Sequence, residues 1–288
     1  MDGAISAPSE TTKVDAVDAS ADSARPGLPV SAIQAIDVSF SYPPSDGRTA
    51  NPPVLERLSL TVRPGEFVAL VGANGSGKST LLRLLAGLLP PTAGRIEVGG
   101  ERLAAPDRRI GLVFQEPRLL PWRSVIDNVA FPLELAGWPI ARRRGRAREM
   151  LDLVGLDGVD EVRPHRLSGG MRQRASIARA LALEPGILLL DEPFSALDAL
   201  TRERLNVALQ EIWRQTGTSV VLVTHSIAEA IFLADRVLVL ARAAAGIVGR
   251  IEIPFARPRL LGELDAADVS GLAATVRELL ETDDGGAR

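Results

Sequence analysis

The sequence predicts an α/β fold that carries an antiparallel β-subdomain and an inserted helical subdomain, and three observations predict it. A continuous apolar strand at 67–71 runs through a glycine-rich turn into a helix bearing Leu81, Leu82, Leu84 and Leu85, which is how a βα unit begins. Further buried strands are expected at 187–190, 219–223 and 236–240, separated by helices at about 199–215 and 226–234. Ahead of them, Ala35-Ile36-Asp37-Val38 and Leu58-Ser59-Leu60-Thr61-Val62 alternate with period two on either side of a Pro/Gly/Asn-rich loop, the pattern of an antiparallel pair.

Taken in order, residues 1–30 are polar, mildly acidic and without an apolar stretch, so they are expected to be a disordered tail and not a secretory signal. Residues 31–255 then read as one domain. Within it, about 116–164 breaks the strand–helix rhythm and reads as helical, with arginines clustered at 142–148. Such a cluster could meet nucleic acid, but a solvated or partner-facing helix surface is the expected reading. Residues 256–288 form an extension with one amphipathic helix near 269–280.

Composition narrows the function. The chain has 288 residues, 46% hydrophobic and 24% charged, with a formal net charge of −3, so no global basic field points to nucleic acid. Cysteine is absent, which excludes disulfides, thiolate metal sites and cysteine nucleophiles. No run of about 18 apolar residues occurs, so any membrane-spanning partner is expected to be another chain. Only Lys13 and Lys78 are lysines among 33 basic residues, which makes Lys78 conspicuous.

Lys78 belongs to Gly72-Ala73-Asn74-Gly75-Ser76-Gly77-Lys78-Ser79-Thr80, which fits the phosphate-loop pattern G-x-x-x-x-G-K-[ST]. Glycines let successive backbone N–H groups curl around phosphate oxygens, and the following helix points its positive end at them. Lys78 can then reach the β and γ phosphates, and the Ser79 hydroxyl can ligate Mg²⁺. The pattern implies a site for ATP or a related nucleotide. The apolar strand at 187–190 ends in Asp191-Glu192, placing one carboxylate for Mg²⁺ and a second to orient and deprotonate an attacking water. Leu167-Ser168-Gly169-Gly170-Met171 then opens a helix, with Ser168 as its N-cap and Met171, Ala175, Ala178 and Leu181 on its apolar face.

The run Leu167-Ser168-Gly169-Gly170, lying between the phosphate loop and the Asp191-Glu192 strand, resembles the signature of ABC ATPases. The resemblance covers roughly residues 33–255. It implies a P-loop NTPase with a RecA-like core, an antiparallel β-subdomain and a helical subdomain. It also implies roles for other residues: Gln115 as the glutamine that senses Mg²⁺ and the attacking water, and Asp198 in the D-loop Ser195-Ala196-Leu197-Asp198. By the same resemblance His225 is the switch histidine at the γ-phosphate, while His165 is expected to be structural. Tyr42 resembles the aromatic residue that stacks on adenine, with Phe40 as its competitor. A head-to-tail homodimer is implied, in which Ser168, Gly169 and Gly170 of one subunit cap ATP held by the other. The residues alone allow such a dimer, since two phosphate-binding helix ends need not serve one site within a chain.

The segment Phe114-Gln115-Glu116-Pro117-Arg118-Leu119-Leu120-Pro121-Trp122-Arg123-Ser124-Val125 is similar to the ATPases of nitrate/sulfonate/taurine importers, and Pro258-Arg259 agrees with that group. The alternative for Trp122 is simple packing inside the helical subdomain. This resemblance implies a peripheral protein at the cytoplasmic face of the cell membrane, a separate permease pair that docks near residues 115–130, and a periplasmic-type solute-binding protein. The implied cargo is a small oxyanion-bearing solute. Two departures stand out: the loop at 45–53 is long, and Ser226 occupies a position where the group usually carries Asp. Competing readings are an importer ATPase for an unrelated solute, an ABC-type ATPase acting on DNA, a translation-associated ABC protein and a regulatory subunit without turnover. The DNA reading would need long heptad helices, the translation reading a second cassette, and the last the loss of a catalytic group; none fits this chain.

Overall fold

The computed structural model describes residues 32–44, 51–242, 245–260, 262 and 264–284. The expected tail at 1–30 and most of the long loop at 45–53 lie outside the described residues. Strands β1 (Ile33–Phe40) and β2 (Leu55–Val62) pair antiparallel, and β3 (Phe67–Gly72) leads through the glycine loop into α1 (Lys78–Leu85). After them come β4 (Ala93–Val98), the short β5 (Glu101–Arg102) and β6 (Ile110–Val113). Three helices follow: α2 (Val125–Val129), α3 (Phe131–Leu135) and α4 (Ile140–Leu153). Next are α5 (Gly169–Leu181), β7 (Ile187–Asp191), α6 (Ala199–Thr216) and β8 (Ser219–Val223). The described chain closes with α7 (Ile227–Leu233), β9 (Arg236–Ala241), β10 (Gly246–Glu252) and α8 (Ala266–Asp284).

Two sheets result. The smaller is antiparallel, in the order β2-β1-β4-β5; the larger runs β10-β9-β3-β8-β7-β6, parallel except for β10 at its edge. Because side chains alternate across a strand, the large sheet buries two faces against two different layers. Val68, Leu70, Leu189, Val221, Leu238 and Leu240 face α1 and the small sheet, whereas Ala69, Leu188, Leu190, Leu222, Val237 and Val239 join the core of the helical side. A strand buried on both faces must be apolar at every position, which is why β3 reads as a continuous run.

The helical region at 116–164 contains α2, α3 and all of α4 with no strand among its described residues, but its packing reaches further. Helix α5 lies against both α2 and α4, so the layer extends through Leu181. The arginines of α4 are largely neutralised within the fold: Arg143 pairs with Glu134, Arg144 with Asp127 and Glu161, Arg146 with Glu149 and Glu184, and Arg148 with Asp160. Arg142 lies 3.9 Å over the Trp138 ring. Strands β9 and β10 pair antiparallel, with Ala245 at φ 47° just before β10. The extension also folds back. Helix α8 buries Leu272, Ala273 and Val276, and it packs so closely on β10 that a Cβ at Gly249 would meet Leu279 Cδ1 at 2.4 Å.

Candidate active site

Neighbouring parallel strands deliver their carboxyl ends to one edge of the large sheet. Register places Val113 of β6 beside Leu190, Asp191 of β7 beside Val223, and Leu70 of β3 beside Val223 of β8. The loops leaving those ends carry Gln115, Asp191-Glu192, residues 72–78 and His225. Open parallel sheets bind ligands at such a crevice.

The glycine loop is sterically committed. A Cβ on Gly72 would stand 2.5 Å from Leu240 O and 2.6 Å from Ser76 Oγ. Gly77 sits at φ 93° as the N-cap of α1, and a Cβ there would meet Leu55 Cδ2 at 2.8 Å. Asn74 and Gly75 are exposed at the tip, whereas Ser76 is buried with a hydroxyl that has no hydrogen-bond partner. Lys78 is buried and curls over the loop, donating to Gly72 O at 2.8 Å and Ala73 O at 2.9 Å. Burial pushes its ammonium below the ordinary lysine range, opposed by the carboxylates of Glu192 and Asp191.

Ser79 donates from Oγ to Asp191 Oδ1 at 2.9 Å. Burial raises the Asp191 carboxyl above its ordinary range, against the pull of that hydroxyl. A half-buried carboxylate and a hydroxyl in contact form an oxygen donor set suited to Mg²⁺. Glu192 follows in a left-handed conformation, φ 43°, held by its N–H donating to Val223 O at 2.9 Å. That turn directs its carboxylate toward two groups. Gln115 Nε2 lies 3.4 Å from Glu192 Oε2 and donates to Ser195 Oγ at 3.1 Å, while His225 Nδ1 is 3.2 Å from the same Glu192 oxygen.

Residues 168–170 and Asp198 are brought together separately. Ser168 caps α5 by accepting from Met171 N at 3.2 Å, and its side chain is exposed. Asp198 caps α6 by accepting from Thr201 N at 3.0 Å, a bond that holds its carboxyl below the ordinary range. The two caps touch through their neighbours: a Cβ on Gly170 would stand 3.0 Å from Thr201 Cγ2, and one on Gly169 would stand 3.3 Å from Leu197 Cδ2. Helix α5 is also tied to the loop that carries Gln115, since Gln173 donates to Phe114 O at 3.4 Å and Arg179 to Pro117 O at 2.9 Å.

The aromatic alternatives separate by burial. Phe40 is buried in the small-sheet core, 5% exposed, and offers only its edge to Tyr42 at 4.9 Å between centroids. Tyr42 is 38% exposed, and its hydroxyl bonds Thr80 Oγ1 at 3.1 Å. Trp122 is 67% exposed, so it does not pack inside the helical layer. The buried Asn128 amide holds the loop before it, accepting from Leu120 N at 2.6 Å and donating to Leu120 O at 3.1 Å. His165 lies exposed on a short 3-10 turn just before Leu167 and Ser168.

Arg202, Thr224 and Glu229 around Glu192 had no part in the sequence reading, whereas Ser195 entered it only as part of the D-loop run. Ser195 accepts from Gln115, Arg202 donates to Phe194 O and Leu197 O, and Thr224 beside the buried Glu229 favours its charged form. Ser195, Arg202, Thr224, Glu229, Glu192 and His225 line one small cleft. Glu229 carried a signal: it stands three residues after the N-cap Ser226, the spacing of a capping box. Ser226 Oγ accepts from Glu229 N at 3.3 Å, which accounts for the departure from Asp, because both residue types serve as N-caps.

A family model described as "ABC transporter" matches residues 55–195. The "Taurine import ATP-binding protein TauB" of Burkholderia pseudomallei (strain 1710b) is 50% identical over 209 residues, covering 73% of this chain and 80% of that protein. The protein of the same name from Pseudomonas aeruginosa (strain PAO1) is 46% identical over 234 residues, covering 81% and 88%. Among solved structures, the dimeric post-hydrolysis state of the ATP-binding cassette MJ0796 bound to ADP and Pi matches with TM-score 0.69 at 32% identity, over 78% of this chain and 100% of that one. The cbiO1 structure from Clostridium perfringens, part of the transporter complex cbiONQ, matches with TM-score 0.69 at 28% identity, over 77% and 88%.

Proposed function

This chain belongs to the ABC transporter ATP-binding proteins, in the nitrate/sulfonate/taurine import group, and we propose from that membership how its residues hydrolyse ATP and what the hydrolysis drives. The observation that carries the catalytic reading is the convergence of Gln115 and His225 on one oxygen of Glu192. In the proposed mechanism Glu192 is the general base, and it accepts the proton of the attacking water. Gln115 and His225 orient it, and His225 also faces the γ-phosphate. Lys78 exchanges the carbonyls of Gly72 and Ala73 for the β and γ phosphates. The N–H groups of 72–80, including those of Asn74, Gly75, Ser76, Gly77 and Thr80, cradle them, and Tyr42 stacks on adenine. Ser79, Asp191 and Gln115 would hold Mg²⁺, which when bound neutralises charge on the phosphates.

Ser168, Gly169, Gly170 and Asp198, of which Ser168 and Asp198 are exposed, complete the site of a second copy in a head-to-tail homodimer. Support for that arrangement is the exposure of Ser168 and the dimeric state of a matching cassette. Among the described residues no helix is long and apolar enough to cross a membrane. By its likeness to import ATP-binding proteins the chain acts as a peripheral subunit at the cytoplasmic face, beneath separate permease subunits fed by an extracytoplasmic solute-binding protein. The solute class is a small oxyanion-bearing compound, an aliphatic sulfonate, taurine or nitrate, supported by the taurine import relatives.

Two experiments test this reading. Glu192→Gln should bind ATP, lose about 10²–10⁴-fold in turnover and accumulate as an ATP-bound dimer on size exclusion. Hydrolysis at the parental rate would remove Glu192 as base. Deleting the gene should abolish growth on taurine, an alkanesulfonate or nitrate as sole sulfur or nitrogen source; undiminished uptake of all three would overturn the solute class.

A further inference from the structure

Arg259 is the largest fully buried side chain among the described residues, 1% exposed, and it has no carboxylate in hydrogen-bond contact. A buried unpaired cation is costly, and an apolar residue would fill the same space more cheaply. Its hydrogen bonds show what it does instead. Nη1 donates to Ile231 O at 2.7 Å, Phe232 O at 3.0 Å and Ala234 O at 2.8 Å, and Nη2 donates to Phe255 O at 3.2 Å. Three of these acceptors are the terminal carbonyls of α7, which have no partner within the helix and attract a cation.

The opposite end of α7 begins at Ser226, directly after His225. With seven residues the helix spans about 10 Å, fewer than two full turns, so a displacement at one end is transmitted to the other. The backbone of Arg259 is fixed as well. Its N–H donates to Gln210 Oε1 and its carbonyl accepts from Gln210 Nε2, both at 2.9 Å. Gln210 belongs to α6, whose amino end is the cap Asp198. Its neighbour Arg257 pairs with Asp235 at 2.8 Å and stacks 4.2 Å over Trp213, which anchors the same segment to the sheet.

We propose that Arg259 is a positioning residue for hydrolysis: from the carboxy-terminal extension it clamps the far end of α7 and so sets the place of His225 against Glu192. The inference rests on the reading of His225 as the switch residue. It gives the extension a part in turnover that the phosphate loop, signature and acid pair do not include. Arg259 touches no nucleotide, so its loss should slow the chemical step without weakening ATP binding.

The chain has two histidines, His165 and His225, so their ring resonances can be followed individually by NMR in the full-length protein. Arg259→Lys should lower kcat at least five-fold with KM for ATP within two-fold of the parent, and should shift or broaden the His225 ring signals while leaving those of His165 in place. An unchanged kcat, or a reduced kcat with unmoved His225 signals, would overturn the proposal. Should Arg259→Lys give no folded protein, Gln210→Leu removes the two bonds to the Arg259 backbone and is expected to give the same pattern at two-fold or more; unmoved His225 signals there would overturn it equally. His225→Ala separates the two readings. If that variant turns over normally, the switch assignment falls and the proposal with it. A His225→Ala loss beside an unaffected Arg259→Lys sinks the positioning role alone.

Discussion

At the scale of single residues, burial separates groups that composition treats alike. Tyr42 and Phe40 lie two positions apart on the same side of the β1 end, yet Phe40 is core and Tyr42 exposes a ring beside Thr80. Tyr42→Ala should raise the Kd for ATP by roughly 5- to 100-fold, the range expected for losing one base-stacking partner, whereas Tyr42→Phe should stay within a few-fold. Nucleotide titration by calorimetry reads both. Glu229 yields a pH prediction. Burial raises its carboxyl above the ordinary range, outweighing the Thr224 hydroxyl, Arg202 and His225, which favour the charged form. The folded state thus binds this proton more tightly than the unfolded chain. The stability it confers is full below the unfolded pKa and is lost as pH rises through the raised value. Glu229→Gln mimics the neutral form and keeps an oxygen for Thr224, so Tm at pH 7.5 should rise by a few degrees, with a smaller gain at pH 4.5. A lower Tm at pH 7.5 would show that the charged form is favoured in the fold.

At the scale of elements, several residues proposed for the chemistry stand at helix starts, and N-caps hold those starts in place. Ser168, Ser226 and Asp198 each accept from the backbone N–H three residues on, and these caps start the signature helix, the helix after His225 and the D-loop helix. A cap is a local device, so its loss should cost about 1 kcal/mol, while an exchange within the capping set costs little. Ser226→Asp is therefore expected to keep both Tm and turnover within error of the parent. Ser226→Ala should lower Tm by about 2–4 °C. A loss in Ser226→Asp equal to that in Ser226→Ala would show that the hydroxyl does more than cap.

At the scale of the whole molecule, the helical layer and the large sheet meet where Gln115 leaves β6, and the loop beyond it is built to present and not to bury. Asn128 holds Leu120 from both sides, Arg123 pairs with Glu134 at 2.9 Å, and Trp122 stands out into solvent. Leu135 and Ile140 of the same layer are 70% and 63% exposed. The permease docking proposed for this region would cover these exposed apolar residues. Trp122→Ala should leave Tm within about 1 °C, because an exposed ring contributes little to the fold. It should also reduce co-purification with the permease at least ten-fold. Retained co-purification would move the docking surface elsewhere.

Much of this was legible along the chain, because glycines at fixed spacing, a capping serine before a helix and acids after an apolar strand each impose a local conformation. Strand β9 was expected at 236–240, but β10 was not, since Gly246 and Gly249 interrupt its short apolar run. Nor was β4, whose first three residues are exposed and leave only Ile96 and Val98 to show its face. The phosphate loop, the acid pair and the capped signature helix follow from residue type and order. The convergence of Gln115 and His225 on Glu192, from 77 and 33 positions away, depends on strand order and register in the sheet. The difference in burial between Tyr42 and Phe40 and the buried contacts of Arg259 likewise arise only once the layers pack. Burial and hydrogen-bond partners are properties of non-local contacts, and no local pattern encodes them.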